Sequence, residues 1–501
     1  SLNWIEQNAG IRWTGSLTPS FPPMKPILFT ILALLSPFCI RTNASEPEKP
    51  RIVLLTDIEN EPDDAQSLVR FLLYSNCFDL EGIIATTSTH QRTKTAAWRI
   101  HEIIEAYGKV RNNLILHEPG FPEVGSLRGV VKSGRADYGM HAVGPDMDSE
   151  GSEWLIRMID REDPRPLWVT VWGGPNVLAQ ALWKIRSTRS SEEVGACVQR
   201  LRVYTISDQD DSGPWIRNTF PDLFYIVSPG NNYRRATWAG ISGENWYRFS
   251  SDADLHIVSN EWLKDNIREN HGPLGEQYPA VAYIMEGDTP SFLGLIPNGL
   301  NVPGRPDWGG WGGRYNLYIP PFFPYSRQSG HAPETRPIWT DAVDEVVGEN
   351  GRIHISNHAT IWRWREAYQN DFAARMDWCV KAPDEANHPP IAAIKGTPYL
   401  TARPGDSIQL DASRSSDPDD DDLQFKWIHY PEAGDFWDWH GIEFEGMDTA
   451  TPTIRIPSEI DLTRPATTHI ILAVTDSGAP SLTRYQRVIL TLQPVQTGSP
   501  D

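Results

Sequence analysis

A continuous apolar run at residues 51–57, closed by Thr56 and Asp57, predicts a strand buried on both faces, the kind a parallel sheet requires. Pro62 ahead of Asp63 and Asp64 marks a helix start, and Leu68, Phe71 and Leu72 recur at helical spacing through residues 65–74. The pattern then repeats. Residues 80–85 read as a strand ending in Thr86, Thr87 and Ser88, followed by an amphipathic helix over 95–107. A third strand at 167–172 ends at Gly173-Gly174-Pro175-Asn176 before a helix at 177–185, and a fourth at 201–206 runs into Ser207-Asp208-Gln209-Asp210-Asp211. Strands alternating with helices predict an α/β fold, a mainly parallel sheet flanked by helices, with sites gathered at the carboxyl ends of the strands. Every polar cluster just named falls at such an end.

From residues 387–390 the pattern changes to short alternating strands at 407–411, 423–427 and 470–474, separated by turn residues. These predict a small all-β sandwich of the immunoglobulin-like kind. Residues 410–419, continuing to Trp427, resemble the polycystic-kidney-disease and cadherin-like modules of that class. Asp417 and Asp419 to Asp422 form either a Ca²⁺ site or a solvated acidic turn.

Residues 1–23 show no period. Met24-Lys25, the apolar run 27–40 and the small-residue site Thr42-Asn43-Ala44 read as a secretory signal peptide cleaved after Ala44. That run is shorter than the roughly 20 residues a membrane-crossing helix takes, and no later segment is long and apolar enough. The expectation is no membrane span after signal cleavage and a periplasmic or extracellular protein. The chain divides into upstream residues and signal peptide at 1–44, the α/β domain at 45–385 and the sandwich at 386–501. Cys39 falls in the leader, and Cys77, Cys197 and Cys379 are too widely spaced for a disulfide framework. With 65 acidic against 45 basic residues the net charge is −20, which repels a polyanion and argues against nucleic acid as partner. The 20 Trp, as in Asp307-Trp308-Gly309-Gly310-Trp311, suit sugar faces and core packing alike.

The chemistry concentrates at residues 56–64, where Asp57, Glu59, Glu61, Asp63 and Asp64 crowd a strand-to-helix junction. Like charges this close need a cation or a hydrogen-bond network, and a divalent metal is the economical answer. A solvated loop whose acids favour the helix dipole is the competing reading. The stretch resembles the first motif of the nucleoside hydrolase superfamily, Asp-x-Asp-x-x-x-Asp-Asp, with Asp57, Glu59, Asp63 and Asp64 at its four positions. The resemblance implies Ca²⁺ as cofactor, with Asp57, Glu59, Asp64, the Trp172 carbonyl and Asp288 as ligands. Asp63 is then the sugar-hydroxyl contact, and Glu59 or Asp57 the general base. Glu59 replaces the motif's Asp, and Gly287 stands where the family carries a His before its last ligand. That His handles the leaving base, so its loss argues against ordinary nucleosides. His90 offers an alternative acid.

More narrowly, the chain is similar to a secreted bacterial family labelled cellulose-binding, which joins a nucleoside hydrolase-like domain to an immunoglobulin-like one. The matching runs are 56–64, 207–215, 287–292 and 306–315. Gln209, Asp210 and Asp211 would contact sugar hydroxyls and Trp215 would stack on a ring. The Gly- and Trp-rich run 307–315 either closes over the pocket or packs under the sandwich. The resemblance implies a Ca²⁺-dependent glycosidase acting on a plant or algal polysaccharide or oligosaccharide, and it is compatible with a homo-oligomer. A non-catalytic carbohydrate-binding protein on the same fold is the alternative, and a nucleoside N-ribohydrolase the third reading.

Overall fold

A computed structural model describes residues 48–230, 232–244, 256–319, 334, 336–349, 351–436 and 441–494. The expected signal peptide lies outside them. The α/β part is built on an eight-stranded sheet. Its strands are β1 (Arg51–Thr56), β2 (Asp79–Ala85), β3 (Val131–Ser133), β4 (Leu167–Val171), β5 (Leu201–Ser207), β6 (Phe224–Ser228), β7 (Tyr315–Tyr318) and β8 (Ile338–Asp341). Their order is β3-β2-β1-β4-β5-β6-β8-β7, parallel except for the antiparallel edge pair β7 and β8. The expected mainly parallel sheet is present. The strand at 167–172 is fourth rather than third, because the three-residue β3 intervenes.

Both faces of the sheet are covered, which is why β1 reads as unbroken apolar residues. Ile52 and Leu54 point into one core with helices α1 (Pro62–Leu73) and α2 (Ala97–His117), which contribute Leu68, Phe71, Leu72, Ile100 and Ile104. Val53 and Leu55 point into the other, against Leu155, Val177, Leu178 and Leu182. The chain leaves β1 toward β2 and β3, then returns to place β4 on the opposite side of β1. The sheet therefore has its topological switch between β1 and β4, where the loops diverge and leave a crevice at the carboxyl ends. Asp57 and Trp172 immediately follow those two strands.

The C-terminal part is a sandwich of a four-stranded and a three-stranded sheet. The hairpin β9 (Asp344–Val347) and β10 (Ile353–Ser356) precedes it, and its strands are β11 (Tyr399–Ala402), β12 (Ser407–Gln409), β13 (Gln424–Tyr430), β14 (Glu443–Glu445), β15 (Thr453–Arg455), β16 (Ala466–Thr475) and β17 (Thr483–Leu492). Ile470, Leu472 and Val474 of β16 fill the sandwich core with Trp427, Ile454 and Val488. The alternate residues Ile471 and Ala473 join the α/β core instead, as does Tyr485. Strand β16 is thus buried on both faces, not the half-buried strand that its sequence suggests. The two parts share one continuous interior.

The 307–315 run forms part of that junction. Trp311 is fully buried against Tyr368 and Tyr485, and Trp308 meets His469 edge-on at 4.8 Å. Of the two alternatives for this run, the structure shows packing under the sandwich. Cys77, Cys197 and Cys379 are free thiols. Among the described residues no helix is long and apolar enough to cross a membrane.

Candidate functional site

The crevice at the switch holds a pocket of about 80 Å³ lined by Asp57, Asn60, Glu61, Asp63, Asp64, His90, Ile206, Gln209, Tyr233, Trp238, Ile284 and Asp288. Each carboxylate arrives by a separate local device. Asp57 immediately follows β1, and its side chain lies where a Cβ on Gly173 would come within 2.6 Å of Oδ1, so the glycine after β4 is what lets the two strand ends close together. Asp63 and Asp64 occupy the first turn of α1, where Pro62 sets the helix start and the dipole favours negative charge. Thr56 Oγ1 donates to Asp64 Oδ1. Asp288 comes from the far side of the sequence on the 286–290 turn. That turn is anchored by Glu286, fully buried, with φ 50°, ion-paired to Arg70 at 2.6 Å and bonded by Tyr278 and Thr289.

Asp63, Asp64 and Asp288 each offer a carboxylate oxygen within 4.8 Å of the others. All three are at least nine-tenths buried, and Asp288 Oδ2 has no hydrogen-bond partner. Burial and the neighbouring acids push Asp63 up to about 7 and hold Asp64 and Asp288 well above the usual carboxylate range. Asp57 is also raised, chiefly by burial. Buried carboxylates crowded against one another are costly, and a hard cation removes that cost while supplying the partner that Asp288 Oδ2 lacks. The oxygen-only donor set fits Ca²⁺.

The structure places the expected residues unequally. Asp57, Asp63, Asp64, Asp288, Gln209 and His90 all line the pocket, His90 at its exposed rim beside Tyr233. Glu59 does not. The Asn60 N–H closes a turn on the Asp57 carbonyl, Glu59 takes φ 73° in that turn, and its side chain leaves the pocket to pair with Arg99 Nε at 3.1 Å. Glu59, expected as a metal ligand and base, thus lies outside the pocket lining in an ion pair with Arg99. The Trp172 carbonyl accepts from Gln209 Nε2 at 2.6 Å, while its indole is buried and donates to Ser291. Asp210 lies behind the pocket wall, bonded to Ser212, and Asp211 caps the Met140 N–H on the surface. Neither lines the pocket. Trp215 packs on the second core beside Phe220 at 6.0 Å, so the expected stacking platform is a packing residue.

Sequence reasoning did not assign Glu61, Tyr233 or Trp238, which also line the pocket. Glu61 belongs to the acidic stretch already noted, but Tyr233 and Trp238 come from a segment without regular periodicity and carry no local signal. Trp238 explains Gly287. A Cβ there would lie 2.8 Å from Trp238 Cζ3 and 2.9 Å from Asp63 Oδ2, so the indole occupies the space a His side chain would need.

This fold and crevice are those of a nucleoside hydrolase-like protein. Residues 51–315 match the family model for the cellulose-binding Sde182 nucleoside hydrolase-like domain, and 407–492 that for the C-terminal domain of cellulose-binding protein Sde0182. The chain belongs to that family. It is 35% identical to a solved nucleoside hydrolase-related hypothetical protein from Saccharophagus degradans associated with carbohydrate metabolism, over 89% of this chain and 100% of that one, with a TM-score of 0.72. Weaker likenesses are to the PKD domain from KIAA 1837 protein (19% identity, 22% of this chain, 93% of that one, TM-score 0.15) and the type III effector XopQ complexed with adenosine diphosphate ribose (12%, 67%, 96%, TM-score 0.30). No curated protein matches the chain.

Proposed function

We propose that the chain is a Ca²⁺-dependent glycosidase, exported from the cytoplasm, that hydrolyses a glycosidic bond in a plant or algal carbohydrate. The observation that carries this reading is the cluster of Asp63, Asp64 and Asp288, buried, mutually repelling and with Asp288 Oδ2 unpartnered, beside Asp57 in one pocket. Those three residues would hold the ion, which when bound orients the attacking water and makes it more acidic. With Glu59 turned outward, proton acceptance falls to Asp57, whose carboxylate lines the same pocket as the three acids. Gln209 holds a sugar hydroxyl through Oε1, which has no partner in the buried wall, and His90 at the rim donates to the departing oxygen. Trp238 and Ile284 exclude water from the sugar face.

Release of reducing sugar from furanosides and from plant and algal polysaccharides, measured with and without chelator, tests this. Hydrolysis lost on chelation and in Asp64→Asn supports it. Saturable binding to cellulose or a related glycan with no sugar released would replace it with the non-catalytic binding protein, a reading that the outward Glu59 and the filled space at Gly287 favour. Cleavage of inosine or uridine would establish the nucleoside hydrolase reading instead.

A further inference from the structure

A second cavity lies where the α/β part meets the sandwich. It encloses about 640 Å³, within the roughly 300–1,000 Å³ of small-ligand clefts, which favour domain junctions. Its walls include Asn316, Val343, Glu345 and Arg363 from the α/β side and Glu432 and Phe436 from the sandwich.

Several polar atoms on these walls have no partner within the fold. Arg363 donates through Nη1 to Asp344 Oδ2 at 2.8 Å, and its Nε and Nη2 donate to no described residue. The guanidinium is held in place by stacking over Tyr430 at 4.4 Å. Glu432 Oε1 accepts the Glu345 N–H, and its Oε2 accepts from no described residue. Asn316 Oδ1 accepts from Arg314 Nη1, and its Nδ2 donates to no described residue. Apolar surface lies beside them, with Val343 48% exposed and Phe436 in the sandwich wall. The fixed charges cancel. Arg314 and Arg363 both pair with Asp344, at 2.7 and 2.8 Å, Arg363 also faces Glu432 at 3.7 Å, and Glu345 is exposed. Burial pushes His429 down to about 4, so that imidazole is neutral. With its cations at least matched by acids, the cleft turns away phosphates and carboxylates. A donor fork, open acceptors and an apolar strip suit the hydroxyls and ring face of a neutral sugar.

We propose that this cleft binds a neutral oligosaccharide, and that it holds one stretch of a chain whose scissile bond lies in the β1 pocket, the second half resting on the glycosidase reading. One segment joins the two sites. Asp341, which lines the cleft, accepts from Thr237 Oγ1 at 2.7 Å, and the next residue, Trp238, lines the pocket. Both sites lie at the carboxyl ends of parallel strands, with β8 four strands from β1, about 19 Å at a usual spacing of about 4.8 Å. A single sugar cannot reach from one to the other, whereas a chain of several can.

Calorimetric titration of cellohexaose, xylohexaose and arabinohexaose into the full chain tests the cleft. At least one should bind the wild-type chain and lose about tenfold in affinity in Arg363→Lys, which keeps a charge beside Asp344 but removes the fork. Val343→Asp, at an exposed side chain outside the core, should show the same loss with an unchanged unfolding temperature. Asp64→Asn should still bind. If none of the three sugars binds, if both cleft variants bind as wild type, or if Asp64→Asn abolishes binding, the proposal is wrong. In hydrolysis, Val343→Asp should raise KM for the polymer about tenfold and leave aryl monoglycosides cut at the wild-type rate; equal effects on both would refute the spanning chain. If the cleft variants lose binding and no glycoside is hydrolysed, the cleft stands and the glycosidase reading fails, taking the spanning chain with it.

Discussion

Removing the metal should make the protein lose stability as pH rises, the reverse of the usual behaviour of surface carboxylates. Asp63 moves from an ordinary value of 3.8 to about 7 in the folded chain because it is buried beside other acids. Between those values the folded state holds a proton that the unfolded chain has released, so raising the pH through this window favours unfolding, and the full loss is present above about 7. A shift of about 3 units at roughly 1.4 kcal/mol each gives about 4 kcal/mol from Asp63 alone. Chemical unfolding in chelator, at about pH 4.5 and about pH 8, measures it against Asp63→Asn, which keeps the shape and removes the titration. The wild-type chain should lose about 3 kcal/mol more than the variant across that span, because part of the window lies below pH 4.5. Saturating Ca²⁺ should abolish the difference, since an ion that binds only the folded state favours the ionised carboxylates. Equal pH dependence of the two proteins in chelator would mean that the fold does not hold a proton on Asp63.

Glu59→Ala should leave Ca²⁺ affinity and any sugar release within about twofold of wild type, because it removes only a surface pair of about 0–1 kcal/mol; a loss of a hundredfold would return Glu59 to the site. Gly287→Ala should cost about 1–3 kcal/mol and weaken Ca²⁺ binding, since the added methyl meets Trp238 and Asp63; a titration indistinguishable from wild type would count against the packing described. Arg70→Met leaves the Glu286 carboxylate buried without its cation and should destabilise the chain by about 3–5 kcal/mol in chemical unfolding, with loss of the Asp288 turn read as lost Ca²⁺ binding. Ile471→Ala should cost about 2–5 kcal/mol although it faces away from the sandwich core, because that side chain is buried in the junction; a cost under about 1 kcal/mol would contradict a shared interior.

The alternation of strands and helices, the doubly buried first strand, the change to a sandwich and the acidic junction after β1 are all written in the order of the amino acids. These are legible because burial periodicity and helix-start signals are local, set by residues a few positions apart. Asp288 was reachable only through its resemblance to a family motif, since nothing in 286–290 shows that it will stand beside Asp63 and Asp64. The direction of Glu59 follows from the folded chain, where a left-handed backbone at that residue turns its side chain toward Arg99. It also decided the roles of Trp215 and of the 307–315 run, since a tryptophan beside glycine reads the same whether it covers a sugar or a core. Both faces of β16 are apolar in ways that a single strand cannot apportion: Leu472 serves the sandwich and Ile471 the α/β part. Chain crossings between distant elements place such residues, and a local pattern contains no term for them.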